Sequence, residues 1–178
     1  MLQELFANSM QELRFGYLKK KHPFRYFSFV TKSEDYPAAR TVVLRGMTDK
    51  NELLIYTDFR SQKVKQLQFD QSTTAIFYHP KKLLQILVKG KTQLITSGKE
   101  WEDHKSRIQG NSKKDYLTEQ TPGSLLKNPD EVNYQEKMHF ALLKLIPHEI
   151  EVLQLKRPNH LRAKFELKDE FKASFITP

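Results

Sequence analysis

Between Phe24 and Thr96 the chain is a succession of runs rich in β-branched and aromatic residues, separated by short polar turns. Consecutive runs joined mostly by turns this short favour antiparallel strands over a doubly wound parallel sheet. The runs are Phe24 to Thr31, Ala39 to Arg45, Glu52 to Thr57, Thr73 to His79 and Leu83 to Thr96. The turns hold Lys32-Ser-Glu-Asp-Tyr-Pro37 and Met47-Thr-Asp-Lys-Asn51, both of breaker composition. One interruption has helical spacing: Ser61 to Gln68, with Ser61 as the expected N-cap.

The flanks differ. Leu2, Leu5, Phe6, Met10, Leu13 and Tyr17 recur at three- and four-residue spacing, which predicts an amphipathic helix over about 1–20 that stops before His22-Pro23. Ser97 and Glu100 match the capping-box spacing and predict a polar helix through about Gln109. Gly110 to Asp130 reads as a long loop with one helical turn, and loops of this length in a compact domain are usually functional. Val132 to Met138 is expected as a short helix. Phe140 to Ile146 and Glu149 to Leu155 are two apolar runs flanking Pro147-His148, and a last strand spans about His160 to Leu167. The tally is six to seven antiparallel strands with a few helices. That favours a mainly β fold, a barrel with flanking helices, in one domain spanning 1–178.

Several function classes fall away. With no cysteine among 178 residues, disulfides, thiolate metal sites and cysteine nucleophiles are excluded. The six histidines show no metal-ligand spacing, so no metal is expected. The chain carries no G-x-G-x-x-G, Walker loop, G-x-S-x-G or H-E-x-x-H. No apolar run approaches a membrane span, no signal-peptide pattern opens the chain, and a cytoplasmic location is expected. The net charge of +9 suits nucleic acid, an anionic membrane or a phosphorylated small ligand. Its lysines and arginines come in short scattered runs rather than blocks, which reads as a solvated surface and makes nucleic acid an unlikely partner.

Arg40-Thr-Val-Val-Leu-Arg45 places a cation on each face of an otherwise apolar strand. Either the two arginines mark solvated strand ends, or they meet anionic groups of a ligand. Tyr56-Thr-Asp-Phe-Arg-Ser-Gln-Lys63 and Leu84-Gln-Ile-Leu-Val-Lys-Gly90 follow. The three stretches, in order and spacing, resemble the pyridoxamine 5′-phosphate oxidase family of FMN proteins, with its R-x-V-L-L-K, Y-T-x-x-x-S-R-K and Q-V-x-V-x-G motifs. The resemblance implies an FMN-binding split β-barrel, a homodimer with FMN at its interface, and hydride transfer from a small substrate, vitamin B6 phosphate if the oxidase chemistry is kept.

By family position Arg40, Ser61 and Lys63 would hold the flavin phosphate, a dianion suited to charge-assisted partners and a helix N-terminus. Val42 and Val43 would lie along the ring, with Tyr56 and Thr57 adding contacts, and Gln85 would reach the flavin from the partner. Gln62 stands where the family has a phosphate-binding arginine. Arg45, Arg107 and Asn111 take substrate-phosphate positions, Arg45 replacing a lysine by a planar fork. Arg107 is otherwise a solvated arginine of a polar helix. Gln120 falls on a flavin-binding glutamine, and no tyrosine precedes Arg107, that place being Asp103. The family's C-terminal W-x-x-x-x-x-R-L-H-x-R-F corresponds to Leu153 through Phe165, with His160 and Arg162 exchanged as the substrate-orienting pair and Lys164 in place of the last arginine. The flavin inference is therefore firmer than the substrate inference. Rival readings are a flavin protein or flavin reductase with a different substrate, and a non-enzymatic anion- or nucleic-acid-binding module.

Overall fold

The computed structural model of the chain describes residues 1–168 and 170–178. Helix α1 (Leu2–Leu18) leads into a 3₁₀ turn (Pro23–Arg25) and the strands β1 (Tyr26–Thr31), β2 (Ala38–Val43), β3 (Gly46–Met47) and β4 (Leu53–Asp58). Helix α2 (Gln62–Phe69), β5 (Ser72–His79), β6 (Leu84–Ile95) and α3 (Lys99–Ser106) follow. After 3₁₀ turns at Gly110–Tyr116 and Pro129–Glu131 come β7 (Phe140–Gln154), β8 (Leu161–Glu166) and β9 (Lys172–Phe175).

All pairings are antiparallel, in the order β2-β1-β5-β6-β7-β4-β3, with β8 on β7 and β9 on β8. The hydrogen-bonded sheet does not close. It is a split barrel, whose long strands β6 and β7 hold two half-sheets together. The first half of β7 pairs with β4 and the second half with β8, so one strand serves both. The inner faces bury Phe27, Phe29, Phe77, Ile86, Val152 and Phe165, and α1 seals this core with Met10 and Leu13. A second core of Leu54, Ile108, Tyr116, Phe140 and Leu142 lies under α3 and the 3₁₀ turn, on the other side of β4. Alternation supplies both: β1 buries every second residue, and β4, covered on two sides, buries nearly all.

Four expectations change. Among the described residues the strands number nine, because Gly46–Met47 and Lys172–Phe175 also pair. The two apolar runs around Pro147 are one strand, since the register slips between Lys89 and Gly90 and lets proline sit at a bulge. Val132 to Met138 is not helical; it is irregular, bridged at Tyr134 to Thr118 and bent at Glu136 and Lys137. Helix α3 starts at Lys99 after Gly98 with no side-chain cap, so the Ser97–Glu100 box does not form, and Glu100 pairs instead with Lys144 at 2.7 Å.

Candidate active site

Where β2, β4 and α2 converge, a cavity of about 310 Å³ opens. Val42, Val43, Arg45, Tyr56, Thr57, Ser61 and Lys63 line it, together with Asp58 and with Asp115, Tyr116 and Pro122 from the long loop. Seven of the residues expected to bind cofactor or substrate thus share one cavity.

The Lys63 ammonium donates to the hydroxyls of Thr57 at 3.0 Å and Ser61 at 3.3 Å. Ser61 precedes α2 without capping it, its hydroxyl being held in this cluster, so the first-turn N–H groups carry no side-chain cap. Among the described residues Lys63 makes no ion pair. Burial pushes its pKa down and the neighbouring Arg40 adds to this, while Asp58 opposes. A half-buried cation with hydroxyl partners beside a helix N-terminus is a site organised for an anion.

Arg40 lies on the inner face opposite Phe29, at the end of the core. Its guanidinium donates to Thr31 Oγ1 at 2.6 Å, Gln66 Oε1 at 2.8 Å and the Phe29 carbonyl at 3.3 Å. It therefore turns toward the second turn of α2 and does not line the cavity, although its field reaches Lys63. Gln62 faces the other way, into a surface groove with Lys32, Glu34 and Lys65.

The opposite wall is aromatic and cationic. Arg45 lies over the Tyr56 ring, 5.5 Å from its centroid. Burial drives the Tyr116 hydroxyl up to about 12, with the Arg45 charge opposing. The Tyr56 hydroxyl is 2.8 Å from His104 Nδ1. Burial also raises Tyr56, against the pull of Arg107 and Arg45. Arg107 closes α3 close enough to act on both Tyr56 and His104, but is exposed and outside the cavity lining, as is Asn111. Gln120 is committed to the loop: its amide donates to the Glu131 carbonyl and its oxygen accepts from Asn133 N–H.

The remaining expected residues sit elsewhere. In register, Tyr78 faces Gln85, Gln85 faces Leu153, and Leu153 faces Arg162, one row across β5 to β8 on the outward side of the sheet. Lys164 belongs to the next row of that face, with Glu151 and Leu87. Arg162 is bound to Glu151 Oε1 at 2.7 Å and to the Thr177 carbonyl, Lys164 to Glu166 at 2.6 Å, and His160 accepts the Lys156 N–H. Within one chain, then, the expected site residues form two clusters, the cavity and the outward row, while Arg40, Gln62, Arg107, Asn111 and Gln120 lie in neither.

Four functional candidates escaped the sequence reading. Asp58 and Arg60 lie inside the quoted Tyr56–Lys63 stretch. His104 and Tyr116 are in the segment read for Arg107 and Gln120, and only the fold shows that they meet Tyr56 and Arg45. Folding also brings Glu12, His22 and His79 together, with ligand atoms within 4.8 Å. Both imidazoles, however, accept a backbone N–H at Nδ1, which leaves the proton on Nε2, and Glu12 is shared with Lys82. This trio is a hydrogen-bonded joint between α1 and the barrel.

The family model for the pyridoxamine 5′-phosphate oxidase FMN-binding domain matches residues 2–96. A pyridoxine/pyridoxamine 5′-phosphate oxidase of Legionella pneumophila is 29% identical over 79 residues, covering 44% of this chain and 36% of that protein. One from Coxiella burnetii is 29% identical over 75 residues, 42% and 38%. The match thus spans little more than a third of the length of these curated relatives. Among solved structures, a pyridoxamine 5′-phosphate oxidase-related, FMN-binding protein of Nostoc punctiforme superposes with a TM-score of 0.75 at 24% identity, covering 98% of this chain and 96% of that one. PhzG of Burkholderia lata, in complex with tetrahydrophenazine-1-carboxylic acid, gives 0.74 at 15%, covering 99% and 90%. At these identities the likeness is one of fold.

Proposed function

This chain belongs to the pyridoxamine 5′-phosphate oxidase FMN-binding family, and from that membership we propose that it is an FMN-dependent oxidoreductase acting on a small anionic substrate. The observation that carries the proposal is Lys63, a half-buried ammonium hydrogen-bonded to the hydroxyls of Thr57 and Ser61 and without an ion pair among the described residues, at the start of α2 in a cavity walled by Val42 and Val43. These residues suit FMN: Lys63, Ser61 and the α2 N-terminus offer what a phosphate dianion needs, with Arg40 adding its field from behind, and the valines offer flat apolar walls. When bound, FMN would supply the hydride acceptor, and a separate oxidant such as dioxygen would take the electrons from the reduced flavin. The protein's task is to orient and to set the electrostatics. Arg45 and Arg107 would draw in the substrate's anionic group, and Tyr56 and Tyr116 would exclude water from the aromatic wall.

The proposal includes a homodimer. The outward row of Gln85, Leu153 and Arg162, next to Tyr78 at 49% exposure, is a half-apolar sheet face distant in sequence from the cavity residues. A second copy would bring its row against the first copy's cavity and so unite the two clusters.

A second reading is favoured by one observation. Arg162 is already neutralised by Glu151, and His160 caps a backbone turn, so the pair expected to orient a pyridoxal ring is otherwise engaged. That supports a substrate other than vitamin B6 phosphate on the same flavin site. A visible spectrum of the purified protein with added FMN, followed by turnover with pyridoxine phosphate, pyridoxamine phosphate and NAD(P)H, decides between them. A bound-flavin band near 450 nm is the expected result, and a protein that gains none with excess FMN defeats the flavin proposal.

A further inference from the structure

The hydrogen bond between Tyr56 and His104 joins a cavity-lining phenol to an imidazole behind it. The rings stand nearly perpendicular, at 77°, with centroids 5.6 Å apart. Tyr56 lines the cavity, whereas His104 is 9% exposed and buried against it from α3. A phenol has one proton to give. When Nδ1 is bare the hydroxyl spends that proton on the imidazole, and toward the cavity its oxygen can only accept. When Nδ1 is protonated the imidazole donates, and the phenol's proton is free for an acceptor in the cavity.

We propose that His104 is a positioning residue that sets the sense of the Tyr56 hydroxyl, so that the cavity offers an acceptor to its occupant when the neutral imidazole carries its proton on Nε2 and a donor when the ring is charged. The proposal rests on the flavin reading for the identity of the occupant, and on the observed pair for everything else. The charges around the imidazole are mixed. Glu100 and Asp103 on its own helix favour the charged ring, while Arg107 at the end of that helix and Lys144 from β7 oppose it. Lys144 is itself tied to Glu100, and Arg45 acts from across the Tyr56 ring. Burial first, then Arg107, hold His104 below the ordinary imidazole value, so the ring rests neutral near neutral pH and, with its proton on Nε2, in the acceptor state. Acidification flips the hydroxyl and adds a positive charge behind it, and both changes favour an anion or carbonyl in the cavity.

Two measurements test this. The first is an NMR titration of the imidazoles in FMN-free protein, comparing the wild type with Tyr56→Phe and assigning His104 through His104→Asn. Loss of the phenol should move the His104 midpoint by about half a pH unit or more and leave those of His22 and His139 in place. A His104 midpoint that does not respond overturns the proposal, whatever the cavity binds. The second is FMN affinity from quenching of flavin fluorescence between about pH 5 and about pH 8. The wild-type dissociation constant should fall about three- to tenfold through the His104 midpoint on acidification. Tyr56→Phe and His104→Asn should each flatten that change, and the double variant should flatten it no further. Identical profiles in all four proteins overturn the proposal. If the wild type shows no saturable FMN binding at any pH, the flavin reading falls, and the titration in FMN-free protein alone decides the role of His104.

Discussion

Arg60 holds Asp58 by both carboxylate oxygens, Nη2 to Oδ2 at 2.6 Å and Nε to Oδ1 at 3.0 Å, and spends its other donors on the carbonyls of Thr118, Glu119 and Gln120. One guanidinium thus neutralises a buried acid at the end of β4 and ties down the loop that brings Asp115, Tyr116 and Pro122 to the cavity. Removing it leaves the Asp58 carboxylate, at 5% exposure, without its ion-pair partner, with only the more distant Lys63 to offset its charge. Arg60→Ala should cost about 2–4 kcal/mol in urea unfolding. It should also speed amide exchange at residues 118–120. Arg60→Lys should recover less than half of the loss, because an ammonium has no fork. Unchanged exchange at the loop would show that the contact is incidental.

Lys63 leads to an opposed pair of effects. Without a ligand it is a half-buried cation whose pKa burial and Arg40 both push down, so the fold gains little by keeping it charged. With a phosphate beside it the same charge becomes a charge-assisted donor. Lys63→Met should therefore leave the ligand-free protein equally stable, or more stable by about 1 kcal/mol, while weakening FMN by about 2–3 kcal/mol. Differential scanning fluorimetry with and without FMN measures both at once. Parallel losses in the two states would make Lys63 a structural lysine.

The strands and α2 were legible because each carries its own period: Tyr26 to Thr31 alternates, and Gln62 to Phe69 follows Ser61 where a helix should start. Misreadings came where a distant partner overrides the local pattern. Glu100 has capping-box spacing, yet Lys144 on β7 claims it. Pro147 and His148 look like a break, but the neighbouring strand absorbs them in a bulge. The site divides the same way. The residues around Lys63 are close in sequence and share the cavity, whereas Tyr56 with His104, and Arg45 with Tyr116, depend on how α3 and the long loop fold back. Nothing in the spacing of Arg162 foretold that Glu151, diagonally across on β7, would occupy it.

Acid should weaken the fold through a group of histidines and one glutamate. Burial holds His22, His104 and His139 below the ordinary value of 6.5. Glu12 feels burial pushing it up, but hydrogen bonds and charge from Lys82 and His22 take it below its ordinary 4.5 on balance. Each of these groups binds its proton less readily folded than unfolded, so the unfolded chain takes up more protons as pH drops and stability falls with it. The histidine part is lost from about pH 6.5 downward and the Glu12 part below about pH 4.5. Urea midpoints should decline steadily from about pH 7.5 to about pH 5, and His22→Asn should flatten part of that slope. A flat profile in the wild type would contradict the burial of these rings.

Gly90 closes the motif that begins at Gln85, and the structure shows why a side chain is refused there. A Cβ at position 90 would stand 1.9 Å from the Ile146 carbonyl oxygen and 3.1 Å from Pro147 Cα. This is the bulge where β6 passes from pairing Lys89 with Glu149 to pairing Gly90 with Pro147. The same point on β7 divides the half bound to β4, which carries Tyr56 and Thr57, from the half bound to β8, which carries Arg162. Gly90→Ala must therefore push two backbones apart at the joint between the cavity and the outward row. The expected loss is about 3–5 kcal/mol, a fall in thermal midpoint of roughly 10 °C for a chain of this size. FMN affinity measured well below the new midpoint should fall as well, because β4 is displaced relative to α2. An alanine variant of unaltered midpoint would mean that β6 and β7 do not approach as closely as this register requires.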